Sequence, residues 1–131
     1  MKNFMSEKKP VVVYGVTGYT GRLICEYLRE LDVPFIAAGR DRARIEEVVS
    51  KIPGIETADY EIVEAEATAE GLAELFDGAK VVCNTAGPFI KFGPDVVEAA
   101  LAAGAHYIDT TGEQDWILEC RDRWGAAFAA K

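Results

Sequence analysis

The sequence predicts an α/β fold built on a doubly wound parallel sheet with strand order 3-2-1-4-5. Two observations carry that prediction. Short apolar runs alternate with amphipathic stretches along the 131 residues. The first run, Val11-Val12-Val13-Tyr14, passes at once into Gly15, Gly18 and Gly21, spaced by three. The alternation itself implies parallel strands with helices on both faces.

In chain order, the run from Val11 is a buried strand, and Leu23, Ile24, Tyr27, Leu28 and Leu31 give the next segment an inward stripe at helical spacing. This predicts a helix from about Thr20 to Leu31, broken by Asp32-Val33-Pro34. Phe35-Ile36-Ala37-Ala38-Gly39 is the second strand. Asp41 is placed to cap a helix with core positions Ile45, Val48, Val49 and Ile52, ended by Pro53-Gly54. Tyr60 to Ala65 alternates and suits a strand nearer the edge; Thr68 caps a short helix with Leu72, Leu75 and Phe76 inward. Lys80 to Asn84 is the fourth strand. Pro94 suits the first position of a helix that runs to Gly104. His106 to Asp109 is the fifth strand, and from about Gln114 a last helix carries Trp116, Ile117, Cys120, Trp124 and Phe128 on roughly one side.

Composition narrows the function classes. Lys and Arg total 14 against 22 Asp and Glu, a net charge of −8. That disfavours a nucleic-acid or anionic-membrane surface. No apolar run approaches the ~20 residues of a membrane span. Cys25, Cys83 and Cys120 are far apart in apolar surroundings and His106 is the only histidine, so no metal site is expected and the thiols suit a reducing cytoplasm. Residues 1–10 carry no apolar signal region. They read as a flexible leader, with Met5 an alternative start, before a single domain over 11–131.

A strand, a glycine turn and a helix N-terminus form the arrangement that receives a phosphate. Gly15 allows the tight turn, Gly18 clears the path of a pyrophosphate, and Gly21 lets the helix pack closely. The domain is therefore expected to be a Rossmann-type NAD(P)-binding domain. The second strand ends in Gly39-Arg40, with Arg42 and Arg44 close behind, where an NAD-preferring fold carries an acidic residue. Arg40 falls nineteen positions after Gly21, near the ribose-reading offset. Arginine offers a charge-assisted fork to a 2′-phosphate. These cations also sit at a helix N-terminus, which the helix dipole disfavours unless an anion is present. NADP(H) is the expected cofactor.

Two later loops lie on the same edge. Asn84-Thr85-Ala86-Gly87-Pro88-Phe89 has small residues that let a cofactor approach the backbone, and Asn84 is placed either to bond a ribose or to hold the loop. Asp109 and Glu113 bring carboxylates nearby, either as a general acid or base or, preferably, with Asp109 bonding neighbouring loop amides and Glu113 in the first turn of the last helix, where the dipole favours it. His106 and Tyr107 read as packing or edge residues. No Tyr-x-x-x-Lys pair of the short-chain dehydrogenase type is present, and no catalytic residue is assigned.

Together, Val13 to Gly21, Ala38-Gly39-Arg40-Asp41, Asn84 to Phe89 and Tyr107 to Glu113 resemble the N-terminal NADP-binding domain of the saccharopine dehydrogenase-like family, which includes the trans-acting enoyl reductases. The resemblance implies that Gly15, Thr17, Gly18, Tyr19, Thr20 and Gly21 meet the pyrophosphate. It implies that Arg40 takes the 2′-phosphate and that Ala86, Gly87 and Pro88 border the nicotinamide half. The segment Glu64-Ala65-Glu66-Ala67-Thr68 departs from the family, where an aspartate is usual. The family's second domain, which builds the substrate pocket and mediates dimer contacts, has no counterpart in these residues.

The expected function is the NADP(H)-binding part of a longer oxidoreductase, transferring hydride to or from an unidentified substrate. Its expected partners are a C-terminal substrate domain and, in the full-length protein, a second copy. By itself the domain is expected to bind cofactor without turnover. The alternative is a non-catalytic NADP-binding redox sensor that acts through a protein partner.

Overall fold

The computed structural model describes residues 8–131. Its strands are β1 (Val11–Tyr14), β2 (Phe35–Gly39), β3 (Tyr60–Glu64), β4 (Val81–Asn84) and β5 (His106–Asp109). The helices are α1 (Tyr19–Glu30), α2 (Arg42–Val49), α3 (Ala69–Phe76), α4 (Phe89–Ala103) and α5 (Gln114–Ala129). All strands are parallel and lie in the order β3-β2-β1-β4-β5, as the alternating pattern predicts. Tyr14 pairs with Ala38 on one side and Asn84 on the other, so the ends of β1, β2 and β4 are level.

Period-two alternation divides the central strands between two cores. Val13, Phe35 and Ala37 pack with Cys25 of α1 and with Ile45 and Val49 of α2. On the other face Val12, Ile36 and Val82 meet Leu72 and Phe76 of α3 and Val96 and Ala100 of α4. A third cluster joins α4 to α5 through Phe89, Val97, Trp116 and Trp124. Among the described residues, no helix is long and apolar enough to cross a membrane.

The caps follow the sequence closely. Asp41 accepts the Arg44 amide at 3.1 Å, and Thr68 accepts that of Gly71 at 3.0 Å. Ile52 is buried as expected, but α2 ends at Val49, before Pro53-Gly54, and a 3-10 turn follows at Ile55–Thr57.

Three expectations are corrected. Tyr27 and Leu31, placed inward by their spacing, are exposed, and Leu23 is partly so. The close approach of Gly21 to Val16 fixes the rotation of α1, so Gly21 and Cys25 form the buried line and these larger residues swing to its flanks. Ile117 is half exposed because α5 turns Trp116 and Trp124 to the core. Helix α4 begins at Phe89, not at Pro94, which lies inside it; the amides of its first turn are capped by Glu113, as described below.

Of the expected leader, residues 1–7, and with them Met5, lie outside the described residues. Lys9 and Pro10 are anchored. Lys9 pairs with Asp59 at 2.8 Å, and the Pro10 carbonyl accepts the Lys80 and Val81 amides.

Candidate functional site: a dinucleotide cleft

The site is built on the turn between β1 and α1. Gly15 has φ +82°, and a Cβ there would stand 2.9 Å from the Ala86 amide nitrogen. Both the left-handed backbone and the crowding by β4's loop require glycine. The Gly15 and Val16 amides donate to the Ala38 carbonyl, so β2 holds the turn from one side. Thr85 holds it from the other: its amide donates to Tyr14 O, and its hydroxyl lies 2.8 Å from both Tyr14 O and Gly15 O.

Gly18 differs from its neighbours. A Cβ at Gly18 would meet only Gly15 O, at 3.9 Å. The fold does not need glycine there, and the space belongs to the cleft. Gly18 is also the N-cap of α1; no side chain caps that helix and its first turn holds no acidic residue. The opening amides of α1 thus lack the side-chain acceptors that helix starts usually have. A cavity of about 260 Å³ lies beside them, lined by Thr17, Gly18, Gly39, Arg40, Ala86 and Gly87 among others. Open helix amides next to a vacant Cβ position fit a phosphate.

The residues singled out from the sequence separate here. Gly15, Thr17, Gly18, Arg40, Ala86 and Gly87 all line the cavity. Tyr19, Thr20 and Gly21 form the first turn of α1. The Tyr19 side chain points elsewhere, lining a separate hollow with Arg22, whose guanidinium lies over its ring at 5.7 Å. Pro88 follows Gly87 across a cis peptide bond and is the N-cap of α4. Arg42 is directed away. Its guanidinium donates to Ile62 O on β3 at 2.8 Å and pairs with Glu46, while its amide bonds Glu64.

Asn84 is fully buried and serves the loop. Its Oδ1 accepts the Ala86 amide at 3.0 Å, and its Nδ2 donates to the Tyr107 hydroxyl at 3.1 Å. Tyr107 in turn donates to Asp109 Oδ2 at 2.6 Å, which also accepts the Trp116 indole N–H at 2.8 Å. Burial, then the bond to Asp109, raises the Tyr107 phenol far above its usual range. Asp109 also accepts the loop amide of Thr111 at 3.1 Å, as the sequence suggests, whereas Glu113, expected in the first turn of the last helix, sends its side chain to α4 instead. Glu113 receives the Phe89 and Ile90 amides at 2.9 and 3.1 Å.

Tyr14 and Thr85 are site residues that sequence reasoning missed. Tyr14 and Arg40 line the same cavity; burial raises the Tyr14 phenol above 10.0, while the Arg40 guanidinium pulls it down. The position of Tyr14, last in β1 before Gly15, was a readable signal. A larger cavity of about 630 Å³ between β3 and α3 is lined by Glu61, Glu64, Glu66, Glu70 and Glu74. Its carboxylates repel a phosphate, so it is not the dinucleotide site.

Comparison with known proteins agrees with this geometry. Residues 11–130 match the family model described as the saccharopine dehydrogenase NADP binding domain. The chain is 34% identical over 122 residues to the lipid droplet localized protein of Caenorhabditis elegans, covering 87% of this chain and 29% of that protein. It is 34% identical over 115 residues to the trans-acting enoyl reductase of Mycobacterium ulcerans, covering 86% and 27%. The chain thus spans less than a third of the length of these relatives. Saccharopine dehydrogenase (L-Glu forming) of Saccharomyces cerevisiae shares the fold, with a TM-score of 0.68 at 16% identity over 86% of this chain and 24% of that one. The chain belongs to the saccharopine dehydrogenase NADP-binding domain family, and NADP(H) is its cofactor.

Proposed function

We propose that this chain is the cofactor-holding part of a longer NADP(H)-dependent oxidoreductase, whose substrate is gripped by a second, C-terminal domain. The observation that supports it is the 34% identity to a trans-acting enoyl reductase of which the chain spans only 27%. The cleft agrees, since every residue that lines it lies at or just past the carboxyl end of β1, β2 or β4. Bound NADP(H) supplies hydride chemistry that no side chain has. The chain's residues bind and orient. The α1 amides and Gly18 take the pyrophosphate, Arg40 takes the 2′-phosphate, and the Asn84-braced loop from Thr85 to Pro88 runs along the middle of the cleft towards the nicotinamide half.

Fluorescence titration with NADPH and NADH, with NADPH oxidation followed in parallel, tests this reading. NADPH binds more tightly than NADH and raises the melting temperature, with no turnover by these 131 residues. Equal affinity for both nucleotides, or robust oxidation of NADPH by this chain alone, overturns it.

A further inference from the structure

A second cavity, of about 270 Å³, adjoins the phosphate turn and shares Tyr14, Arg40, Ala86 and Gly87 with it. It is smaller than the ~300–1,000 Å³ of pockets that enclose whole ligands, which suits one end of a dinucleotide. Its walls include apolar Leu72 and Phe92, and it carries two cations from separate elements, Arg40 after β2 and Lys91 in the first turn of α4.

The position of Lys91 is electrostatically costly as it stands. A cation in the first turn of a helix opposes the dipole. Glu113, the carboxylate at that helix start, already bonds Phe89 and Ile90. Among the described residues neither Lys91 nor Arg40 has an ion-pair partner. Lys91 instead lies with its Nζ over the Phe92 ring at 5.3 Å. Asp95, one turn further along α4, also lines the cavity; one carboxylate facing two cations leaves the cavity net positive. A dianionic group beside a flat base relieves this imbalance.

We propose that Lys91 is a second cation for the 2′-phosphate of NADP(H), so that Arg40 and Lys91 together select it over NAD(H), with Phe92 flanking the adenine. This rests on the NADP reading of the cleft. A phosphate between guanidinium and ammonium is held by charge-assisted bonds from two sides.

The test is a titration of the chain and its K91Q, K91R and R40Q variants with adenosine 2′,5′-bisphosphate, 5′-AMP, NADPH and NADH. K91Q weakens the bisphosphate and NADPH about tenfold, leaves AMP and NADH within about twofold, and K91R restores most of the loss. If R40Q loses the bisphosphate but K91Q binds it like the parent chain, the assignment of Lys91 fails and the NADP reading stands. An equal loss for AMP and bisphosphate also overturns the assignment. If the parent chain does not prefer bisphosphate to AMP, the reading of the cleft fails and Lys91 falls with it.

Discussion

The Glu113 carboxylate accepts the Phe89 amide at 2.9 Å, across an interval of 24 residues. Glu113 is itself the N-cap of α5, yet its side chain caps α4, and its own amide is received by Thr111 at 2.8 Å. One residue thus sits at the start of two helices, bonding the first amides of α4 directly after Gly87-Pro88. E113A should lower stability by about 1–2 kcal/mol, the range for a lost cap, and E113Q by less. Chemical denaturation of both variants checks this; an unchanged midpoint for E113A would show that the cap contributes nothing.

The three turn glycines should fail in different ways. G15A forces an L-residue into the left-handed region and against the Ala86 backbone, and G21A meets Val16 Cα at 2.8 Å. Each should cost about 1–3 kcal/mol. G18A has room in the fold and should cost about 1 kcal/mol or less, yet weaken NADPH at least about tenfold. Paired denaturation and NADPH titrations separate the cases. Normal NADPH binding by G18A would remove the pyrophosphate from this turn.

Arg40 and Arg42 are two residues apart but engaged differently. Arg40 lines the cleft, whereas Arg42 is held by Ile62 O and Glu46. R40Q should reduce NADPH affinity about 10–100-fold, the value of a charge-assisted bond, and leave NADH nearly unchanged. R42Q should leave the NADPH-to-NADH ratio within about threefold, since its exposed contacts are weak. A ratio that follows R42Q and ignores R40Q would reverse the assignment.

Alkaline pH should destabilise the fold through its thiols. Burial, with a lesser push from neighbouring Cys83, raises Cys25 from 9.0 to about 12; burial also raises Cys83. The folded pKa lies above the unfolded one, so the stabilisation is complete below about 9 and is lost as pH climbs towards 12. For Cys25 the limit is about 4 kcal/mol. Denaturation midpoints from pH 7 to 10.5 should fall above 9, less steeply in C25A. A slope that C25A leaves unaltered would place the titration elsewhere.

Much of this was legible because it is local. The alternation of strands and helices, the glycine turn and the caps Asp41 and Thr68 depend on residues within a few positions of one another. What stayed hidden depends on which elements meet. Nothing near Phe89 shows that Glu113 closes its helix, so Pro94 looked like the start. Nothing in the Arg40-Asp41-Arg42 run reveals that β3 offers Arg42 a carbonyl at 2.8 Å. The sequence leaves Asn84 two roles, and the Ala86 amide takes up its Oδ1. Lys91 and Phe92 gave no signal, because their cavity exists only once α4 lies beside the ends of β1 and β2.

The glutamate-lined cavity between β3 and α3 bears on how fast the cofactor arrives. An incoming polyanion meets the field of a chain with net charge −8, reinforced by these carboxylates clustered between β3 and α3. Arg40 acts only at contact, within a Debye length of about 8 Å at physiological salt. Added salt should therefore quicken encounter by screening the repulsion, and quicken release by loosening the phosphate contacts. Stopped-flow binding should show association and dissociation rates rising together with ionic strength, a cofactor site that exchanges faster as its surroundings grow saltier.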